Sequence, residues 1–316
     1  MTDTLQVIDT RTQLAGADDI TARLMMSYIR YSDNSLRTKQ TYLTGLKQFY
    51  RFLAENNIKD PTETDVIDFR DYLRATGHKP TTIQSYIMSL KQLYAWGQRK
   101  GFCTTDIASE VKNERITKAH KKDALSPEQV KRVLSLIDTS TLTGKRDYAI
   151  ILLTVTCALR VIENIRADIK DLTSDGNRAI LWRQGKGHTD KDEPMPVCPE
   201  AEAAIRDYLK ARGEKNTDAP LFVSLSNHEK NSRLTTRSLS RIIKERFKAA
   251  GIDSERYTAH SLRHTGITLA MRAEKDITKV QRFAGHSSVE TTMIYIHEEE
   301  RLNNTCTNSV AAAIFS

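Results

Sequence analysis

Residues 285–297 read GHSSVETTMIYIH, a turn followed by a helical pattern that contains one tyrosine. Ser287 and Glu290 have the spacing of a capping box, which predicts that a helix begins there and continues to residue 297. The glycine lets the backbone bend closely before the helix, whose N-terminal dipole favours a bound anion. His286 is therefore placed to contact an anion, and Tyr295 lies about two turns into the helix. A loop histidine bonded to the backbone and a half-buried aromatic ring are the ordinary alternatives for these two residues.

Three earlier segments supply further basic side chains. Arg160 begins a short predicted helix, and Lys186 lies between two glycines at the tip of a predicted hairpin. His260 and Arg263 are three residues apart, so they share one face of a helix and could hold one oxyanion together. His260 and His264 also have the spacing of a helical metal pair, but the sequence offers no third ligand nearby, so no metal site is predicted. Taken singly, Arg160 and Lys186 also suit ordinary roles on the surface.

The hydrophobic pattern is mainly helical along the whole chain. Helices are predicted in the first part at 18–31, 35–55, 63–75 and 80–98. A capping box with proline at the first helical position starts a second domain at Ser126. Its helices are predicted at 126–137, 144–157, 160–166, 199–211, 235–250, 259–272, 276–283 and 287–297, with a β-hairpin over 179–182 and 195–197. The predicted fold is mainly α, with an N-terminal helical bundle and a mostly α second domain that contains a small antiparallel β-sheet.

Chain length sets the expected domain organisation. A chain of 316 residues exceeds the roughly 250 to 300 residues at which single cores stop growing. Residues 1–17 are predicted to be a flexible leader, 18–111 a helical domain, 112–125 a basic linker, and 126–316 a second domain that ends in a short apolar tail helix over 309–315. The basic linker suits a protein whose domains wrap a duplex, and it equally suits a soluble hinge.

The composition indicates a basic protein outside the membrane. The chain carries 48 Lys and Arg against 40 Asp and Glu, and a net charge of +8 attracts nucleic acid or an anionic membrane surface. The longest apolar stretch, 148–159, is shorter than the ~20 residues that a bilayer helix needs, and the N-terminus lacks a signal-peptide pattern. A cytoplasmic protein without a membrane partner is therefore expected. Four cysteines lie far apart, so neither a disulfide framework nor a zinc ribbon is predicted.

Basic side chains recur at polar positions of the N-terminal helices and in the linker. The candidates for contacts with DNA phosphates are Arg37, Lys39, Lys47, Lys91, Lys118, Lys121 and Lys122. A solvated surface with a slight basic excess explains the candidates in the helices equally well.

Taken together, these segments resemble the tyrosine recombinases of the phage-integrase and Xer type. The family's T-G-L-R-x-x-E segment matches the stretch from Thr156 to Glu163, its hairpin G-K-G matches 185–187, its H-x-L-R box matches 260–263, and its final G-H-x-S-x-x-T-T-x-x-Y-x-H block matches 285–297. The resemblance extends over residues 20–300, since the N-terminal bundle is similar to the family's core-binding domain.

This sequence departs from the family pattern at a few positions. Cys157 and Ala158 replace the usual Thr-Gly pair, Asn164 stands where an apolar residue is common, and Ala284 replaces a leucine. These departures predict looser packing near Arg160. Every catalytic position of the family is filled, so the resemblance implies an active enzyme.

The resemblance implies a SAM-like core-binding bundle followed by a catalytic domain. It also implies that Tyr295 is the nucleophile. Tyr295 would attack the phosphorus and hold a 3′-phosphotyrosyl link. Arg160 and Arg263 would grip the phosphate as planar forks that stay charged. His286 would donate a further hydrogen bond, and His260 would manage the proton of the tyrosine.

Three other residues receive implied roles. Lys186 would protonate the leaving 5′-oxygen, Glu163 would orient local structure, and His297 would support the site. Because the phosphotyrosine stores the energy of the broken ester, neither metal nor nucleotide cofactor is implied. The implied partners are double-stranded DNA with a specific recombination site and further copies of the chain, as a homotetramer that exchanges strands through a Holliday junction. Away from DNA, a weakly associated or monomeric protein is expected.

The implied biological setting is a bacterium, a phage or a mobile element, with an integrase, excisionase or Xer-like role. The tail helix is expected to dock on a neighbouring protomer, and a helix folded on its own domain is the alternative. A type IB topoisomerase, which uses the same tyrosine chemistry on one duplex, is the rival enzyme. A DNA-binding regulator without catalysis is the rival from another class of protein.

Overall fold

The computed structural model describes residues 19–115, 123–176, 178–185, 190–274, 276–302 and 306–315, without the side chains of 19–22, 296–302 and 307. The predicted leader and the candidate lysines Lys118, Lys121, Lys122 and Lys186 lie outside the described residues. The chain divides into two compact units, Met1–Thr117 and Lys118–Ser316. The domain limits expected from the sequence stay a prediction, because much of the expected linker is not described.

The first unit is a helical bundle, as the apolar spacing predicts. Its helices are α1 (Asp19–Tyr31), α2 (Leu36–Glu55), α3 (Glu63–Ala75) and α4 (Pro80–Arg99). The Ser35 hydroxyl caps α2 by accepting the N–H of Thr38 at 3.2 Å. A Cβ at Gly45 would lie 2.6 Å from the Ser89 hydroxyl, so this glycine lets α2 and α4 pack closely. None of the described helices is both long and apolar enough to cross a membrane.

The second unit is mostly helical and contains one small sheet. Its helices are α5 (Pro127–Ser135), α6 (Leu142–Thr156), α7 (Val161–Arg166), α8 (Pro199–Arg212), α9 (Thr236–Ala249), α10 (Ala259–Ala273), α11 (Ile277–Ala284), α12 (Val289–Leu302) and α13 (Cys306–Phe315). The capping box predicted at Ser126 is confirmed, because Ser126 and Gln129 exchange hydrogen bonds of 3.2 and 2.8 Å. Buried residues on α6, including Ile150 and Leu153, form the centre of the core.

The sheet has the order β1-β2-β3, with strands β1 (Leu172–Asp175), β2 (Arg178–Arg183) and β3 (Glu193–Val197), all antiparallel. Leu181 on β2 faces Leu172 on one side and Met195 on the other. The predicted hairpin is thus confirmed as β2 and β3. The mainly α class with a small antiparallel sheet is confirmed as well.

Three local predictions were wrong. Strand β1 was missed because its four residues, whose side chains are mostly exposed, show no apolar alternation. The Asp175-Gly176 pair before β2 was an available signal for a turn between two strands. Helix α12 begins at Val289, because the hydroxyl of Ser288, rather than that of Ser287, accepts the N–H of Glu290 at 3.2 Å. The tail helix α13 begins at Cys306 instead of residue 309.

Candidate active site

The carbonyl groups at the ends of α6 and α11 hold the most buried arginine of the site. Arg263, on the first turns of α10, is 2% exposed. Its guanidinium donates to the carbonyl of Ala158, just beyond α6, and to that of Ala284, the last residue of α11, both at 2.5 Å. Helix ends leave such carbonyls without partners inside the helix, and a cation there also matches the helix dipole. The planar guanidinium group of Arg263 therefore connects the ends of two helices.

The charge of Arg263 is maintained despite its burial. Desolvation lowers the pKa of Arg263 to about 10, and the positive charge of Arg160 acts in the same direction. The carboxylate of Glu163 opposes both effects. Because the lowered pKa is still well above 7, Arg263 supplies a permanent positive charge at neutral pH.

Arg160 lies immediately before α7 and is held by one carboxylate. Its backbone N–H donates to one oxygen of Glu163 at 2.8 Å, and its guanidinium donates to the other oxygen at 2.6 Å. A second guanidinium nitrogen donates to the carbonyl of Gly285 at 2.7 Å. Arg160 and Arg263 thus bind consecutive carbonyls, those of Gly285 and Ala284, which brings two guanidinium groups together. Arg160 remains partly exposed, so part of this positive surface faces solvent.

The turn between α11 and α12 presents His286 next to the two arginines. Gly285 takes the left-handed conformation, with φ of 58°, and ends α11. The N–H of His286 donates to the carbonyl of Gln281 at 3.1 Å, and the Gln281 amide donates to the carbonyl of His286 at 3.0 Å. The Nδ1 atom of His286 lies 2.9 Å from the hydroxyl of Thr292. The imidazole is therefore oriented by its own backbone contacts and by α12.

Tyr295 packs into the apolar wall of the same site. Its side chain is 5% exposed and belongs to a small cluster with Ala158 and Ala284, the residues whose carbonyls bind Arg263. The ring centroid lies 6.2 Å from that of His286 and 4.9 Å from that of His264. The structure thus brings Tyr295, His286 and the arginine pair to one place.

Three further residues were predicted for the site. His260 is exposed on the first turn of α10. Lys186 lies outside the described residues, between Gly185 and Asp190, and His297 lies on α12 with its side chain not described. Their roles stay predictions.

The candidate DNA contacts of the N-terminal bundle differ in their surroundings. Arg37 is exposed, and Lys39 is half-buried. Burial lowers the pKa of Lys47. The ammonium of Lys91 donates to the carbonyl of Ser109 at 3.1 Å, so it already supports its own unit.

Three residues of the site were missed in the sequence. His264 was considered only as a metal ligand, although its ring lies tilted against that of Tyr295, with 4.9 Å between the centroids. Thr292 was matched to the family block without a role, and it is fully buried beside His286. Arg183, at the end of β2, is buried next to Glu163. It lies two positions after the inward-facing Leu181 and therefore on the same side of β2, which was an available signal for a buried charge.

The residues that depart from the family pattern near Arg160 are buried. Cys157 and Ala158 are 1% and 0% exposed, and the expected looser packing stays a prediction. Ala158 adopts a φ of 47° in the left-handed region, which favours glycine. Asn164 is also fully buried, and its amide donates to the Thr154 hydroxyl at 3.2 Å and to the carbonyl of Arg160 at 3.3 Å.

The arrangement suits chemistry on an oxyanion. Two guanidinium forks and an imidazole can donate to the oxygens of one tetrahedral anion, and a phenol beside them can act as a nucleophile. The only carboxylate in direct contact with the arginine pair among the described residues is Glu163, which is engaged in holding Arg160.

Comparison with known proteins gives consistent matches. A model described as the phage integrase family matches residues 123–301, and one described as the phage integrase N-terminal SAM-like domain matches 23–104. Tyrosine recombinase XerA of Pyrococcus furiosus is 30% identical over 269 residues, which are 85% of this chain and 86% of that protein. Tyrosine recombinase XerC of Caldanaerobacter subterraneus is 29% identical over 290 residues, with 84% of this chain and 79% of that protein covered.

Solved structures share the fold. A post-cleavage complex of the XerH site-specific recombinase with a palindromic difH substrate matches with a TM-score of 0.72 and 20% identity, over 94% of this chain and 92% of that chain. A lambda integrase tetramer bound to a Holliday junction matches with a TM-score of 0.66 and 15% identity, over 90% of this chain and 80% of that chain. At these identities the two likenesses concern the fold alone.

Proposed function

The chain belongs to the phage integrase family, and we propose from this membership and from the site that it is a site-specific DNA recombinase. It cuts and rejoins DNA through a covalent bond between Tyr295 and a backbone phosphate. The observation that carries the proposal is the pair of guanidinium groups on the carbonyls of Ala284 and Gly285, beside the ring of Tyr295. The curated relatives named above are tyrosine recombinases, which supports the same chemistry.

The proposed reaction exchanges one phosphate ester for another. The phenol oxygen of Tyr295 loses its proton and attacks the phosphorus, the bond from phosphorus to the 5′-oxygen breaks, and the 5′-oxygen takes up a proton. A 3′-phosphotyrosyl link and a free 5′-hydroxyl result. Attack by a 5′-hydroxyl of another strand reverses these steps and releases the tyrosine, so the exchange needs no external energy source.

Each basic group has one task in this proposal. Arg160 and Arg263 neutralise charge on the non-bridging oxygens, and His286 donates a further hydrogen bond to them. His260 takes the phenol proton, and Lys186 delivers a proton to the leaving 5′-oxygen. Glu163, which is 2% exposed and bonded twice to Arg160, positions that arginine. His297 is proposed to support the site.

We propose an Xer-like assembly for strand exchange, in which four protomers join two duplexes through a Holliday junction. The described part of α13 supports this proposal, because Val310, Ile314 and Phe315 are 57%, 68% and 84% exposed. These apolar side chains suit docking on a neighbouring protomer. Deletion of residues 306–316 should abolish tetramer assembly on DNA while one protomer still binds a half-site. Unchanged assembly, measured by sedimentation, would refute the docking.

The contact with DNA is proposed to involve Arg37, Lys39, Lys47 and Lys91, together with the linker lysines Lys118, Lys121 and Lys122. Binding depends on salt, and this dependence is measured as the slope of the logarithm of the binding constant against the logarithm of the salt concentration. Each phosphate contact that is lost should reduce the size of this slope by about 0.9. Arg37→Ala, at an exposed position, should show this change. Lys91→Ala is the comparison variant, because the Lys91 ammonium is already engaged by Ser109 and should contribute less.

Trapping of the covalent intermediate tests the proposed function. A binding site is first selected from a random duplex library, and a nick is placed near its centre so that the cleaved end diffuses away. The protein should then form a protein–DNA adduct that survives denaturation, and Tyr295→Phe should form none although it binds the same DNA. An adduct that persists in Tyr295→Phe would assign the nucleophile to another residue. Relaxation of a supercoiled plasmid without this site would point to a topoisomerase instead.

A further inference from the structure

A third arginine lies behind the two that face the site. Arg183 is the last residue of β2 and is 4% exposed. Along β2 the buried positions alternate, so Ala179, Leu181 and Arg183 point to the same side of the sheet. A guanidinium group is rarely buried to this extent unless carboxylates or carbonyl groups compensate for the lost water. No step of the proposed reaction uses Arg183.

The guanidinium of Arg183 contacts three different elements of the second unit. Its Nε atom lies 3.1 Å from an oxygen of Glu193, the cross-strand neighbour on β3. Its Nη1 atom lies 4.0 Å from an oxygen of Glu163, and its Nη2 atom donates to the carbonyl of Arg282 on α11 at 3.4 Å. Arg183 therefore connects the strand that leads to Lys186 with α7 and with the last turn of α11.

Glu163 links Arg183 to the arginine that faces solvent. One oxygen of Glu163 accepts from the Arg160 guanidinium at 2.6 Å, and the other accepts the Arg160 N–H and faces Arg183. Without Arg183, Arg160 would be the nearest cation left to neutralise this buried carboxylate. A stronger pairing of Arg160 with Glu163 would reduce the positive charge that Arg160 offers to a phosphate.

Arg183 also fills the space below the turn that carries His286. A Cβ at Gly285 would lie 2.8 Å from the Nη2 atom of Arg183 and 3.4 Å from an oxygen of Glu193. The carbonyl of the same glycine accepts the hydrogen bond from Arg160. The guanidinium of Arg183 thus lies against the backbone that positions both Arg160 and His286.

We infer that Arg183 is a positioning residue for strand cleavage. It shares the charge of Glu163 and supports the Gly285 turn, so that Arg160 presents its positive charge to the non-bridging oxygens of the DNA phosphate. This inference rests on the proposed function, and it assigns a role in the reaction to a side chain that does not contact DNA.

The test compares two substrates that differ only in charge at the reacting phosphate. One is the nicked site, and the other carries a methylphosphonate, in which a methyl group replaces one charged non-bridging oxygen. Arg183→Met should form the covalent adduct on the phosphate about 100-fold more slowly than the wild type, as for a misplaced catalytic group. On the neutral methylphosphonate, which needs less positive charge, the two proteins should differ less than about threefold. Arg183→Lys, which keeps the charge and loses the planar fork, should lie between them.

Arg146→Met is the matched control for loss of a buried arginine. Arg146 is 5% exposed in the same unit and bonds to Asp147 and to the carbonyl of Val223, neither of which belongs to the site. Its removal should lower thermal stability and affect the two substrates equally. An Arg183→Met variant that behaves like this control, or that cleaves the phosphate at the wild-type rate, overturns the inference. If Arg183→Met does not fold, Arg183→Lys takes its place in the test. Equal losses of cleavage rate on both substrates in that variant would overturn the inference in the same way.

The wild type separates this inference from the proposed function. A wild-type protein that forms no adduct on either substrate removes the proposed function and the inference together. If the wild type forms the adduct on both substrates and the Arg183 variants lose the same factor in rate on both, the inference is overturned and the proposed function stands.

Discussion

Two helix ends in the second unit perform the same task with different residues. After α6, Ala158 turns the chain with φ of 47°, and its carbonyl accepts a hydrogen bond from Arg263. After α11, Gly285 turns the chain with φ of 58°, and its carbonyl accepts one from Arg160. Both ends therefore combine a left-handed residue with a carbonyl that holds an arginine.

The two ends differ in what surrounds the turning residue. The Cβ of Ala158 is accommodated because its neighbour on α10 is Gly266, where an added Cβ would lie 3.3 Å from it. A Cβ at Gly285 would instead lie 2.8 Å from the guanidinium of Arg183. A left-handed turn alone thus tolerates an alanine, whereas a left-handed turn packed against a buried charge requires glycine.

The largest effect on stability and activity is expected from Arg263→Ala, which removes the guanidinium group that connects both helix ends. The carbonyls of Ala158 and Ala284 lose their partner in a buried site, so the free energy of unfolding should fall by about 3–5 kcal/mol. Covalent adduct formation should fall at least ~100-fold. Arg233→Ala is the control, because Arg233 also bonds to a carbonyl, that of Ile165 at 2.8 Å, but its side chain is 40% exposed. Urea unfolding and adduct rates similar for the two variants would contradict the joint role of Arg263.

Gly285→Ala should have the next largest effect. The left-handed backbone costs an alanine about 1–2 kcal/mol, and displacement of Arg183 adds about 1–3 kcal/mol, so a total loss of about 2–5 kcal/mol is expected. Gly213→Ala provides the comparison, because Gly213 ends α8 with φ of 69° and an added Cβ there would meet no atom within 4 Å. That variant should lose only the backbone contribution. Equal losses in urea unfolding would show that Arg183 does not restrict position 285.

Ala158→Gly should change stability little. Relief of the left-handed strain gains about 1–2 kcal/mol, but the buried methyl group is lost, about 0.8 kcal/mol, and the unfolded chain gains entropy, about 0.4–1 kcal/mol. The sum lies within about 1 kcal/mol of zero. Chemical denaturation measures this difference. A loss above about 2 kcal/mol would mean that the methyl group of Ala158, more than its backbone, fixes the end of α6.

No reaction is expected at Cys157, the residue that precedes the α6 turn. Burial raises the pKa of this thiol to about 12, so almost no thiolate forms at pH 8 and an alkylating reagent should not modify it in the folded protein. Cys306, which is exposed on α13, is the internal control and should be modified. Peptide mapping after alkylation measures both sites. Modification of Cys157 at the rate of Cys306 would show that the α6 end opens readily.

Local patterns in the sequence were sufficient for the helices and for part of the site. The capping box of Ser126 and Gln129 predicts the start of α5, and Gly285 predicts the end of α11. The spacing between His260 and Arg263 correctly places both residues on one helix, α10. These features depend on residues that are close in the chain, so their spacing alone predicts the local structure.

The missed features depend on contacts between distant segments. Arg183 and Glu163 are twenty positions apart, and their proximity requires β2 to pack against α7. The carbonyl of Ala158 accepts a hydrogen bond from Arg263, which lies on α10 and far along the chain. Strand β1 has little apolar pattern of its own and is defined by its pairing with β2.

The identity of the residue that bonds to DNA tests the central proposal most directly. After the covalent complex is trapped on a nicked site, the DNA is digested by nuclease, the protein is cut into peptides, and tandem mass spectrometry locates the attached nucleotide. The geometry around Arg160, Arg263 and His286 predicts that the nucleotide is attached through phosphate to the oxygen of Tyr295. A nucleotide on any other residue, or a complex without a covalent bond, would contradict it.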